Sequence, residues 1–132
     1  MHPIVRAAFA ATLLPAAAAA QTSPVCEARR TTQPPALVEL YTSEGCSSCP
    51  PADRWLSTLK GRSDVVALAF HVNYWDRLGW PDRFATPAIT ERQHQLARTS
   101  GSSTVYTPQV VLNGHDWRAW RSSAPARLPA ST

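Results

Sequence analysis

VELYTSEGCSSCPPADRWLSTLK, residues 38–60, is the stretch that decides the fold. The run ALVELYT (36–42) reads as a strand in which Leu37, Val38 and Leu40 supply core. The segment 43–49 is a loop that carries Cys46 and Cys49. A helix follows over 52–60, because Trp55, Leu56 and Leu59 recur at helical spacing, and Gly61 is a stop signal. The cysteines lie at i and i+3, on one side of a turn. That spacing brings their Cα atoms into the roughly 5–6 Å range that a disulfide needs.

A strand on one side and a helix on the other give the pair a chemical setting. A helix N-terminus carries unpaired N–H groups and a partial positive charge, and both favour thiolate over thiol. Cys46, the outer residue, is therefore the candidate nucleophile, and Cys49 the resolving thiol. Pro50 and Pro51 work against this, since neither has an N–H. Cys49, preceding a proline, is biased away from the α region. The donors left to the Cys46 sulfur would be the amides of Ser48 and Cys49 and the hydroxyls of Ser47 and Ser48. A lowered pKa at Cys46 is expected. Two other readings stay open. A zinc half-site needs two further ligands, for which Cys26, His71, His94 and His115 are available, but no second close pair exists. A structural disulfide is the other. The strand–turn–helix context favours the redox reading.

The rest of the chain sets the compartment. Residues 1–20 read as a signal peptide: MHPIVR, an apolar stretch interrupted by Pro15, then Ala18-Ala19-Ala20 before Gln21. An exported chain, periplasmic or secreted, meets conditions in which disulfides persist. Of the three cysteines, Cys26 is left over, either free or available to another chain. It lies in a leader (21–35) that is polar and ends in Pro34-Pro35. No other stretch reaches the about 20 apolar residues of a membrane span. The formal net charge of +4 is carried almost wholly by scattered Arg, Lys60 being the single lysine, which gives no nucleic-acid site. At 132 residues and 44% hydrophobic, the chain is expected to form one small domain, 36–120, followed by a disordered tail, 121–132.

VVALAFHV (65–72) is a second strand, apolar throughout and so expected to be buried on both faces. NYWDRLGWPDRFAT (73–86) is an aromatic loop with turn signals at Gly79 and Pro81. AITERQHQLART (88–99) is a helix with Thr86 as N-cap, Pro87 as first helical residue and Gly101 as its end. TVYTPQVVL (104–112) is a third strand, Asn113-Gly114 a hairpin turn, and HDWRAW (115–120) a fourth strand. The order β, Cys-x-x-Cys, α, β, α, β, β implies an α/β fold. Its mixed sheet has about four strands flanked by helices, with no C-terminal helix to cover the last one.

Supporting residues follow from this layout. Glu39, in an otherwise apolar strand, is either a buried proton relay for the dithiol or an end-of-strand carboxylate. Thr107-Pro108 sits inside a strand pattern, where a cis bond would explain the proline. His71 reads as a satisfied core histidine before a base or ligand, and His94 as solvated. Tyr74, Trp75, Trp80 and Phe84 either line a substrate rim or pack under their own loop.

Together these words carry a resemblance. VELYTSEGCSSCPPAD, VVALAFHVNYWDRLGWPDRFATPA, ERQ and VYTPQVVLNG resemble a bacterial family of exported proteins, catalogued as a domain of unknown function (number twelve twenty-three), over about residues 36–114. The resemblance implies a thioredoxin-like fold and suggests thiol–disulfide chemistry at Cys46 and Cys49. It maps that fold's cis-proline onto Pro108, and Glu39 close to the buried acid of thioredoxins with one extra residue before the cysteine. Relatives continue into a further helix, so a C-terminally shortened variant is expected here.

The expectation is an exported thioredoxin-like thiol–disulfide oxidoreductase without an organic cofactor. Cys46 and Cys49 do the chemistry, Pro108 and Thr107 shape a substrate groove, and Tyr74, Trp75 and Trp80 border it. Its partners would be protein or small-molecule thiols and disulfides, with a redox partner to recycle the pair. The rivals are a copper- or zinc-handling protein and a non-catalytic binding domain with a structural disulfide.

Overall fold

β1, Ala36–Thr42, forms on the apolar run read as the first strand, and all of it except Leu37 is buried. Ala36, Val38 and Leu40 point to one face, and by alternation Leu37, Glu39 and Tyr41 point to the other. The structure, a computed structural model, describes residues 34–123 and 128. β1 is central in a four-stranded sheet of order β2-β1-β3-β4. β2, Val65–His71, runs parallel to it from Ala36↔Val65 to Thr42↔His71. β3, Gln109–Leu112, pairs antiparallel on its other side, and β4, His115–Asp116, pairs antiparallel with β3. The fold is a mixed α/β sheet with helices on its faces, and its strand order is compatible with the thioredoxin-like frame.

α1, Pro50–Ser57, starts two residues earlier than expected. Pro50 and Pro51 occupy the first helical positions, where a missing N–H leaves no bond unmade. Cys49 takes helical dihedrals (φ −77°, ψ −33°) in spite of the proline after it. Its carbonyl accepts from the amides of both Ala52 (2.9 Å) and Asp53 (3.1 Å), which holds it there. Beyond Ser57 the chain tightens into i→i−3 bonds, Lys60 N–H to Ser57 carbonyl among them, and then turns at Gly61 (φ +82°). α2, Pro87–Thr99, is capped as read: Thr86 Oγ1 accepts from the Ile89 amide at 3.2 Å.

Three expectations about strands change. β2 is an edge strand, and Val66 and Leu68 on it are 42% and 41% exposed, so it is not buried on both faces. An all-apolar run says that a strand is hydrophobic, not where it stands in the sheet. The third strand begins at Gln109, not Thr104, directly after Pro108, which has no amide hydrogen for a ladder. The fourth is only His115–Asp116, because Trp117 leads into a 3₁₀ turn, Arg118–Arg121. The turn between them is the expected hairpin, with φ +49° at Asn113 and +85° at Gly114.

The 3₁₀ turn has a packing role that the sequence did not suggest. It brings Trp117 and Trp120 onto the α1 face, where their rings lie 5.8 and 5.7 Å from that of Trp55. Together with Val38, Leu40, Ala52, Leu59 and Val110 they form one apolar cluster, on which Leu128 also packs. The opposite face holds Tyr41, Val72 and Val111 under α2 and the aromatic loop. The readings of a signal peptide, of the leader up to residue 33, of Cys26 and of most of the tail lie outside the described residues. Among the described residues no helix is long and apolar enough to cross a membrane.

Candidate active site

Two tight turns in series convert the end of β1 into the start of α1. The Cys46 amide donates to the Ser43 carbonyl, and the Cys49 amide to the Cys46 carbonyl, each at 3.1 Å. They bring the Cys46 and Cys49 Cα atoms to 5.4 Å, and the two sulfurs are joined in a disulfide. The Cys49 amide is thereby committed to a carbonyl, and is not the donor to the Cys46 sulfur that was expected.

The donor comes instead from the far end of the chain. Thr107 Oγ1 donates to Cys46 Sγ at 3.3 Å, and Trp75 Nε1 donates to Thr107 Oγ1 at 2.8 Å. A hydroxyl that accepts one bond while donating another is polarised toward its acceptor, so the indole strengthens the contact at sulfur. Ser48 Oγ stands 3.6 Å from the same sulfur. The Thr107–Pro108 bond is cis, and Pro108 is buried at the entrance to β3. The sequence-read pair Thr107 and Trp75 thus converges on Cys46. Tyr74 stands one step back, its hydroxyl donating to Gln93 Oε1 at 3.3 Å. Trp80 is 64% exposed, and its carbonyl lies close to Gly45 of the cysteine loop. A Cβ on Gly45 would lie 3.2 Å from Trp75 Cβ and 3.4 Å from the Trp80 carbonyl, so a larger residue there would push the two loops apart by a few tenths of an ångström.

Access differs from expectation. Cys46 is the outer of the two cysteines but only 2% exposed, and Cys49 is 0% exposed.

Glu39 lies elsewhere. Its carboxylate is bonded by Arg92 of α2, whose guanidinium also stands over the Phe70 ring at 5.1 Å. It faces α2, whereas α1 follows Cys49 on the opposite side of the sheet. The carboxylate on the α1 side is Asp53, which accepts from the buried Thr42 hydroxyl at 2.8 Å and ties the end of β1 to the first turn of α1.

Two positioning residues escaped the sequence reading. Asp82, buried, accepts from the Glu44 amide (2.8 Å), from His71 Nδ1 (2.6 Å) and from the Phe84 amide (2.8 Å). Burial alone would raise its pKa, but these donors outweigh burial and hold the carboxyl below the usual range. It pins the cysteine loop to the aromatic loop. His71 is accounted for by that bond and by an edge-on contact with Phe84 at 5.3 Å. Gln93, fully buried, donates through Nε2 to the Tyr106 carbonyl and to Gln109 Oε1, both at 2.8 Å. It fixes the backbone on both sides of Thr107-Pro108. Its signal was present: Gln93 is a polar residue on the helical stripe of Ile89, Leu96 and Ala97.

The metal reading finds few ligands. Among the described residues no three His, Cys, Asp or Glu side chains are grouped to hold an ion, and His94 and His115 are exposed.

A disulfide at a strand-to-helix turn, beside a cis-proline on a mixed four-stranded sheet, defines a disulfide-bearing α/β protein compatible with the thioredoxin-like class. Within it, the chain belongs to the family described as Protein of unknown function (DUF1223), which matches residues 37–128. It is similar to a protein from Agrobacterium tumefaciens of known X-ray structure, with 48% identity and a TM-score of 0.59. That similarity covers 64% of this chain and 38% of the other, so this chain corresponds to well under half of that protein. No curated protein matches the chain.

Proposed function

We propose that the protein is an exported thiol–disulfide oxidoreductase working through Cys46 and Cys49. The observation that carries this reading is the Trp75–Thr107 donor chain ending on Cys46 Sγ. A purely structural disulfide needs no donor at one sulfur; a leaving or attacking thiolate does. In the reduced protein the Cys46 thiolate attacks one sulfur of a substrate disulfide. That S–S bond breaks, and the departing sulfur leaves with the electron pair and takes a proton from solvent. The Cys49 thiol gives its proton to solvent, and its sulfur attacks Cys46. The Cys46–Cys49 bond forms, and the second substrate sulfur departs as a thiolate. A dithiol partner restores the reduced pair by the same steps in reverse.

The test is a titration of the purified protein in glutathione and dithiothreitol buffers, read by mass-tagging of free thiols. The expected result is a reversible two-electron transition between about −120 and −300 mV. A pair that stays oxidised across that window would sink the proposal. It would favour the second reading, a structural disulfide, to which the 2% exposure of Cys46 lends support.

A further inference from the structure

Two cavities approach the segments that flank the disulfide, and neither cysteine lines them. One, of ≈ 510 Å³, is floored by Pro51 and Trp55 and reaches Ser48, the residue between the cysteines. The other, of ≈ 500 Å³, is floored by Tyr106 and the cis-proline Pro108, next to the Thr107 that touches Cys46. Trp120 and Arg121 belong to both and form the ridge between them. The result is a pair of adjoining lobes. Proline and aromatic side chains line both, and they reach Ser48 on one side and Pro108 on the other.

Its charge is one-sided. Arg118 and Arg121 are the charged residues lining it, and neither lobe is lined by an acidic side chain. Arg118 is partly compensated by Asp116 at 3.1 Å. Arg121 has no carboxylate within ion-pair distance among the described residues; its guanidinium lies 5.3 Å from the centre of the Trp120 ring. A guanidinium stacked on an indole face keeps its in-plane N–H donors for an oxygen acceptor, most strongly a carboxylate.

We propose that this groove binds an extended acidic polypeptide segment, with Arg121 as its carboxylate anchor, so that the substrates are proteins bearing Asp or Glu beside a reactive cystine. Two lobes separated by a ridge suit a chain lying across the site rather than a compact ligand. The inference rests on the redox reading for its chemistry but not for its binding.

The test separates the two. Fluorescently labelled peptides are made with the cystine replaced by serine, in otherwise identical acidic, amide and basic versions, and their affinities are measured by anisotropy on the folded protein. The acidic version is expected to bind about fivefold or more tighter than the amide version, and the difference to shrink as salt is raised. Arg121→Glu reverses the preference, while Arg121→Lys keeps part of it. Equal affinity for acidic and amide peptides, or an unchanged preference in Arg121→Glu, overturns the inference. Cystine-bearing versions are then assayed for exchange. Tight acidic binding without exchange upholds the groove and removes the oxidoreductase reading, whereas exchange at equal rates for all versions does the opposite.

Discussion

On the α1 face of the sheet, Val38, Leu40, Ala52 and Leu59 meet three tryptophans from distant positions, Trp55, Trp117 and Trp120, in an apolar cluster. Even the Trp55 indole N–H is buried there without a hydrogen-bond partner among the described residues. On the α2 face the contacts are directional. Glu39 meets Arg92, and Gln93 meets Tyr74, Tyr106 and Gln109; at the strand ends, Asp82 adds bonds to His71 and the amide of Glu44. Apolar packing is non-directional and scales with area, so the first face holds the sheet together without specifying where any one atom sits. Hydrogen bonds contribute less each but fix distance and angle, and the second face and the strand ends use them to hold the two loops that converge on Cys46.

This contrast can be broken by experiment. Leu40→Ala, on the apolar face, is expected to cost about 2–5 kcal/mol of stability by urea unfolding. The thiol reactivity of the folded fraction should stay within about twofold of the parent, if packing there does not position the site. A large change in reactivity would show that the faces are not separable. Asp82→Asn, in the hydrogen-bonded set at the strand ends, should cost less, about 1–3 kcal/mol, because the amide keeps the shape but weakens three donors' acceptor. It should nevertheless change the rate at which Cys46 reacts, since the Glu44 amide is two residues away; an unaltered rate would remove Asp82 from the positioning set. Thr107→Val removes the hydroxyl and keeps the volume. It should cost about 0.5–1.5 kcal/mol or less in stability, and slow alkylation of reduced Cys46 at neutral pH by about threefold to tenfold. Alkylation at the parent rate would mean that the donor chain does not act on the thiolate.

How much of this was legible depended on range. The strand, turn and helix around the cysteines could be read because each signal is local: a run, a spacing, a stop. The Thr86 cap and the Asn113-Gly114 hairpin were legible for the same reason. Thr107 could be singled out because Pro108 is conspicuous in a strand. Its bond to Cys46 spans 61 positions and leaves no periodic trace. The Asp82–Glu44 contact spans 38 positions, and Asp82 read only as part of a turn. Glu39 was read correctly as the odd residue in its strand. Its partner was not, because which face a residue looks toward depends on where the helices settle. The exposure of β2 depended likewise on strand order.

The smallest expected effect is one of pH. The Tyr106 hydroxyl donates to Asp116 Oδ1 at 2.6 Å. Burial first, then the hydrogen bond and charge of Asp116, push its pKa up from 10.0 to about 12. Because the folded value is the higher one, its contribution to stability is complete below pH 10.0 and is lost as pH rises toward about 12. Tyr106→Phe should flatten the decline in stability over that interval, and a parallel decline in the variant would assign it to other groups.

The proline pair has a consequence for what can be watched. Pro50 and Pro51 have no amide hydrogen, so the start of α1 gives no signal in hydrogen-exchange measurements. The first reporters are Ala52 and Asp53, whose amides share one acceptor, the Cys49 carbonyl. If breaking the Cys46–Cys49 bond lets that turn relax, protection should fall at those two amides together. Both lie outside the disulfide ring, so the redox state of the pair becomes readable one residue pair downstream, without any label on sulfur.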